Sequence, residues 1–382
     1  MTKKDIYFIT GLFIIWRVTL FFIQYFAVRF VPLQHDFLGG GLSNYLTNPY
    51  LWSWANFDGE HYIALAREGY RPLTYYFFPL FPILVRFLTG IWMNGFENYV
   101  FSGILVSHLS LVFAIFGLWK LIKLDYGDSI AKATIIILFL FPTSFYFGAL
   151  YTESLFLACS VWSVYSARKK SWFYSSILAG FASATRLVGI VLVPVIFLEF
   201  YLANKKINQN WWKLVPIFLL GAGGVLIYMY YLWRVTGDPI NFYHTVGIFG
   251  AQRSANLVLL PQVFYRYIFK IIPSLNFTYF PSVFVVFFEF FTAVLFLVLS
   301  VWSFFKVRLS YTAFLFLGYL LPTLSGSFSS LPRYVLILFP AFILLAIYLN
   351  NTPKLFRIFV YVLMFIGLIL SESFFVRGYW LS

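Results

Sequence analysis

Eleven apolar runs of 16 to 24 residues dictate the class of fold open to this chain: about 6–28, 99–122, 130–150, 152–167, 172–187, 188–203, 213–234, 281–304, 310–325, 333–350 and 355–376. A helix needs roughly 20 apolar residues to cross the hydrocarbon core, and a helix satisfies its own backbone there. The expected fold is an all-α polytopic membrane protein with about eleven transmembrane helices. Composition agrees, since 62% of the 382 residues are hydrophobic, against roughly 45–50% in a soluble domain. No Pro-, Gly- or charge-rich linker separates a second body, so residues 1–382 read as one integral domain.

A net charge of +14 raises the question of nucleic acid, yet the basic residues stand in short clusters between apolar runs and read as topology signals. The single cysteine, Cys159, lies in an apolar run, which leaves no disulfide framework and no cysteine metal site. The basic N-terminus followed by a long apolar run reads as a retained first helix rather than a cleaved leader. The segment 77–95 is ambiguous, being apolar enough to cross but carrying Arg86 and two prolines. If it does not cross, twelve of the thirteen lysines fall on the side of the N-terminus, with Lys270 the exception. The positive-inside rule favours that arrangement. The segment is therefore expected as an amphipathic helix on the outer face, within a first outer loop of about 30–98.

Within that loop, LWSWANFDGEHYIALAREGYRPLTYYFFPLFP (51–82) gathers Asp58, Glu60, His61, Arg67, Glu68 and Arg71 into fourteen positions, although 10% of the chain is charged. Such a cluster needs water or a protein-lined cavity. The aromatics around it, Trp52, Trp54, Phe57, Tyr62, Tyr70 and Tyr75 to Phe78, suggest a membrane interface. Asp58, next to Gly59, has two readings: a general base whose glycine neighbour allows close backbone approach to a ligand, or the cap of a helix over 59–68. Glu60 and His61 are alternative bases or metal ligands, but one histidine between acids is weak evidence for metal, and no metal site is assigned.

Further candidates lie beyond the loop. Glu153 in GALYTESLF opens an apolar helix, where a carboxylate also suits the helix dipole. Arg186 interrupts an apolar stretch and must reach an anion or the interface. Arg333, after Pro332, begins a helix and is either an anchor or a phosphate ligand. Arg71, Arg253, Asp238 and His244 come to the same outer side, with Asp238 read first as a turn residue before proline. Arginine dominates there and lysine inside; arginines either snorkel to the interface or use their fork to bind phosphate. No Gly-rich phosphate loop, Asp-x-Asp pair or HExxH is present.

The stretches FDGEHYIALAREGY (57–70), FFPLFP (77–82), YTESLF (151–156), SATRLVG (183–189) and PRYVLILFP (332–340) together resemble the PIG-V family, membrane mannosyltransferases related to the enzyme that adds the second mannose in GPI-anchor assembly. They run in family order over most of the chain; the family usually has Trp where Phe57 stands here. The resemblance implies the GT-C fold with interfacial helices in the first outer loop, an acidic residue of that loop at the active site, a polyprenyl-phosphate sugar donor and inversion at the anomeric carbon. On that footing Asp58 is the expected base, and Arg186, Arg253 and Arg333 the groups facing the leaving phosphate. Glu60, His61, Arg71 and Glu153 are expected substrate contacts. The expected partners are the polyprenyl-phosphate sugar, a lipid-linked or glycan acceptor and membrane lipids, with no cofactor and no nucleic acid. The expected location is the cell membrane in a bacterium or the endoplasmic reticulum in a eukaryote, with an extracytoplasmic site. The alternative is a lipid-carrier or polysaccharide transporter that binds the same sugar phosphate without transferase chemistry.

Overall fold

The computed structural model describes residues 1–92, 95–204, 215–245, 253–254 and 256–381, and among the described residues no strand occurs. The main helices are α1 (Lys3–Phe30), α2 (Asp58–Glu68), α3 (Leu80–Trp92), α4 (Phe96–Ile122), α5 (Asp128–Leu140), α6 (Glu153–Arg168), α7 (Trp172–Thr185), α8 (Leu192–Asn204), α9 (Val215–Thr236), α10 (Phe280–Lys306), α11 (Leu309–Thr323), α12 (Phe339–Asn350) and α13 (Lys354–Val376). Among the described residues six helical spans are long and apolar enough to cross a membrane: α1, α4, α8 with the turn before it, α9, α10 and α13. A seventh is reached if Leu331–Ile337 and α12, broken at Leu338, make one span. The chain is an integral membrane protein. The other apolar runs are helices of 12 to 16 residues, each shorter than a full span, so the expected count of eleven is not confirmed. The run at 130–150 shows why: α5 stops at Leu140, Pro142 has no N–H to continue it, and the chain passes into a 3-10 turn at Ser144–Phe147.

The described chain divides into two compact units, one of residues 1–69, 81–161 and 342–381, the other of residues 70–80 and 162–341. In the first, α1 packs along α13, and a Cβ on Gly103 of α4 would stand 2.4 Å from the Leu150 side chain, so α4 presses directly on the turn before α6. One end of this unit is basic. Lys123, capping the C-terminus of α4, lies 2.8 Å from Asp128 at the start of α5 and 3.6 Å from Asp5 at the start of α1. Lys132 lies over the Phe8 ring, and Asn350 joins Ser129 to Arg357.

At the opposite end, Gln24 and Arg29 of α1 reach Tyr50 and Ser53. Phe96, the first residue of α4, meets the Trp52 ring and the Arg67 guanidinium. The chain thus leaves the basic end through α1 and returns through α4, so α2 and α3 make no net crossing. With 13 residues at about 1.5 Å each, α3 is also shorter than the roughly 30 Å hydrocarbon core. The expected non-crossing helix at 77–95 is therefore present, its last part at 93 and 94 lying outside the described residues.

In the second unit, α7 and α9 cross in close contact, since a Cβ on Gly224 would stand 2.2 Å from the Gly180 carbonyl. Its basic end is tied together by Glu199, 1% exposed. Arg308 donates to both Glu199 oxygens at 2.6 and 2.9 Å, Ser310 donates to Oε1, and Arg168 lies 3.7 Å away. Arg168 and Arg308, which read as topology signals, are thus also partners of a buried carboxylate. The lysines at 205, 206 and 213 lie outside the described residues.

Candidate active site

In the first unit the site begins with a turn. Residues 53–55 form a 3-10 helix, Asn56 is extended, and Phe57 turns with φ 58° and ψ −120°. That region is unfavourable for a bulky side chain. Tertiary contacts hold it: Asn56 Nδ2 donates to the Phe375 carbonyl at 2.8 Å, Tyr151 Oη donates to the Asn56 carbonyl at 2.8 Å, and the Phe57 ring packs against Phe375 and Trp380. Helix α2 then starts at Asp58 itself. The cap position belongs to Phe57 and carries no side-chain cap, so Asp58 is not the cap that its sequence position suggests. Gly59 is buried against Leu150, Ala55 and Trp54 at ordinary contact distance, facing protein rather than offering an approach for a ligand.

Asp58, Glu60 and His61 share the first turn of α2, half-buried. Burial raises the Glu60 carboxyl above its usual range. Burial also lowers the His61 imidazole, against the opposing pull of the negative Asp58, and so favours its neutral form. Glu153 opens α6, as expected, and is 1% exposed. Leu150 N–H donates to the Trp54 carbonyl at 2.9 Å and ties the segment before Glu153 to the turn before Asp58. Two of the expected site residues thus sit at the starts of helices whose preceding turns are hydrogen-bonded together. Trp52 and Trp54, read as interface aromatics, are instead core side chains, at 0% and 1% exposure. Among the described residues no three His, Cys, Asp or Glu side chains gather as a metal site.

The second unit holds the arginines. Arg186 ends α7 in extended conformation. The guanidiniums of Arg186, Arg253 and Arg333 lie 5.0, 5.1 and 5.2 Å from the centre of one ring, that of Tyr334. Arg253 donates to the Tyr334 and Tyr76 hydroxyls at 2.9 and 3.2 Å and to the Ser329 carbonyl at 2.6 Å. Ser330, at φ 63°, is left-handed, and its N–H donates to Glu289 Oε1 at 3.1 Å. Glu289 also accepts from Tyr267 at 2.8 Å and so fixes the turn that delivers Arg333.

Tyr76 is carried by an aromatic knot in which Tyr228 donates to the Tyr75 carbonyl and packs on Phe78. Arg71 is exposed. Asp238 accepts from Ile240 N–H in the expected turn and pairs with His244 at 2.7 Å. Sequence reasoning missed Tyr76, Tyr334 and Glu289. Of these, only Glu289 had a usable signal, a lone acid within an apolar run.

Comparison with known proteins agrees with this architecture. The family described as Mannosyltransferase (PIG-V) matches residues 7–222, more than half of the chain. No curated protein matches it in sequence. The crystal structure of ArnT from Cupriavidus metallidurans bound to undecaprenyl phosphate is similar, with a TM-score of 0.52 at 14% identity over 97% of this chain and 77% of that one. The apo oligosaccharyltransferase of Archaeoglobus fulgidus gives a TM-score of 0.50 at 12% identity over 100% of this chain, which spans 57% of that one. The family match over residues 7–222, joined to the GT-C fold shared with both structures, shows that the chain belongs to the PIG-V mannosyltransferase family of membrane glycosyltransferases.

Proposed function

We propose that the protein is an inverting mannosyltransferase that moves a sugar from a polyprenyl-phosphate donor to a hydroxyl of a lipid-linked or glycan acceptor, on the extracytoplasmic side. The observation that carries this reading is the convergence of Arg186, Arg253 and Arg333 on the Tyr334 ring. Three cations held together suit a ligand with concentrated negative charge, and guanidinium forks match phosphate oxygens. That ArnT was crystallised with undecaprenyl phosphate supports the same donor class.

In the proposed reaction Asp58 accepts the proton of the acceptor hydroxyl, and that oxygen attacks the anomeric carbon. The bond from carbon to phosphate oxygen breaks on the opposite face, which inverts the centre, and the electron pair leaves on the phosphate. Arginine stabilises that growing charge, so no acid is needed at the leaving group. The lipid tail of the donor accounts for a sugar enzyme embedded in apolar helices.

The test is to incubate the purified protein with radiolabelled polyprenyl-phosphate mannose, glucose and galactose and an extract of membrane lipids and glycans. Label should pass from the mannose donor to product, with the anomeric configuration opposite to that of the donor. Retained configuration, or transfer only from a nucleotide sugar, would contradict the proposal.

A further inference from the structure

Two strained residues, not one, stand at the turn that delivers Asp58. Phe57 has φ 58° and Phe37 has φ 59°, a region of the backbone map that bulky side chains rarely take. They hold each other: Phe57 N–H donates to the Phe37 carbonyl at 2.9 Å, and their rings stack with centres 6.1 Å apart. Strain of this kind persists where the surroundings over-determine it, and it gathers at functional sites. The surroundings that do so can be traced bond by bond.

Asn56 is 0% exposed and bridges two segments, its Oδ1 accepting from Gly39 N–H at 2.9 Å and its Nδ2 donating to the Phe375 carbonyl at 2.8 Å. Arg377, half-buried just past α13, closes the other side of the same frame. Its Nε donates to the Val31 carbonyl at 2.8 Å and its Nη1 to the Tyr45 hydroxyl at 3.3 Å. Tyr45 in turn donates to the Val376 carbonyl at 2.6 Å, and Gln34 N–H donates to the Arg377 carbonyl at 2.9 Å. The backbones come closest at Gly378, where φ is 77° and a Cβ would stand 2.7 Å from the Gln34 carbonyl. Residues 31–45 are thus laced to 376–378 on one side and to 56–57 on the other. Arg377 lies outside the residues 7–222 that match the family.

We propose that Arg377 is a positioning residue for the reaction: its two hydrogen bonds hold residues 31–45 against the end of α13, and through Phe37 and Asn56 that frame keeps Phe57 in its strained turn and Asp58 at the first position of α2. This rests on the reading of Asp58 as the base. The test uses the full-length enzyme in detergent, with polyprenyl-phosphate mannose as donor and turnover counted per folded molecule. Two variants disturb the frame in different ways. Arg377→Gln removes the guanidinium that makes both bonds, and Gly378→Ala crowds Gln34 while leaving the Arg377 side chain unaltered.

Both should lower kcat by roughly 10- to 100-fold, since a misplacement of about 1 Å far from the chemistry can cost that much. The donor KM should stay close to wild type, as expected when what is lost acts only in the transition state. Hydrogen–deuterium exchange over residues 53–58 should quicken in both, because the Phe57 amide loses its fixed acceptor on Phe37. Wild-type kcat in Arg377→Gln, or in Gly378→Ala if Arg377→Gln does not fold, would leave Arg377 a stabilising residue and overturn the proposal. A raised donor KM with unchanged kcat would overturn it as well. Asp58→Asn run in parallel separates the two failures: a dead Asp58→Asn beside a fully active Arg377→Gln refutes positioning alone, whereas an active Asp58→Asn refutes the base assignment beneath it.

Discussion

Arg253 donates to the Tyr334 hydroxyl at 2.9 Å while its guanidinium also lies 5.1 Å from the centre of that ring, so a single tyrosine orients the cation by both its edge and its face. Arg186 and Arg333 approach the same ring to 5.0 and 5.2 Å. A cation over an aromatic face gains about 0.5–2 kcal/mol, and mutual repulsion among three cations works against that gain. The arrangement favours whatever anion enters it.

Replacing Arg186, Arg253 or Arg333 by lysine should therefore damage donor use almost as much as replacement by alanine, because lysine keeps the charge and loses the fork. A hydrogen bond to a charged group is worth about 1.5–3 kcal/mol, so roughly 10- to 150-fold in kcat/KM is expected for each. Steady-state kinetics with polyprenyl-phosphate mannose decides it, and wild-type kinetics in all three lysine variants would reduce the arginines to interfacial anchors.

The basic end of the first unit should face the cytoplasm. Ser43 is exposed near the end that carries Asp58, and Asp125 is exposed at the basic end. A cysteine placed at Ser43 should react with an impermeant thiol reagent in intact cells, and one at Asp125 only after permeabilisation; the native Cys159 is buried and should stay silent. The reverse pattern would invert the topology.

Much of this was legible in the chain because it is local. Asp58, Glu60 and His61 are neighbours in sequence, and the lysine clusters set the non-crossing of α3 without any tertiary contact. What stayed hidden depends on distance. Glu199 and Arg308 are paired across 109 positions, and Asn56 meets Phe375 across 319. The reading of Asp58 as a cap failed for a subtler reason: Phe57 takes a backbone conformation that no local propensity favours, and that shifts the helix start by one residue. Tyr334 looked like one aromatic among many, since only the fold brings three arginines to it.

The neutral His61 gives a pH dependence of defined sign. Its pKa is lowered in the folded protein from an ordinary 6.5, so as pH falls below about 6.5 the unfolded chain takes up the proton first and stability drops. Glu60 works the other way nearer its own range, because its raised pKa makes the folded form the better proton acceptor. Thermal midpoints between about pH 7.5 and 5.5 should fall less in His61→Gln than in wild type. Parallel curves would show that His61 is not the titrating group.

The central claim is that Asp58 takes the proton from the acceptor hydroxyl. The turnover of Asp58→Asn tests it most directly, measured per folded molecule with saturating polyprenyl-phosphate mannose and with Glu60→Gln as control. Asp58 opens α2 without capping it, so its loss should cost at most about 1 kcal/mol of helix-dipole stabilisation, and the variant should accumulate normally and still bind donor. Loss of a general base lowers the rate about 10²- to 10⁴-fold. The account predicts a fall of that size in Asp58→Asn and a much smaller one in Glu60→Gln; a folded Asp58→Asn enzyme turning over at close to the wild-type rate would contradict it.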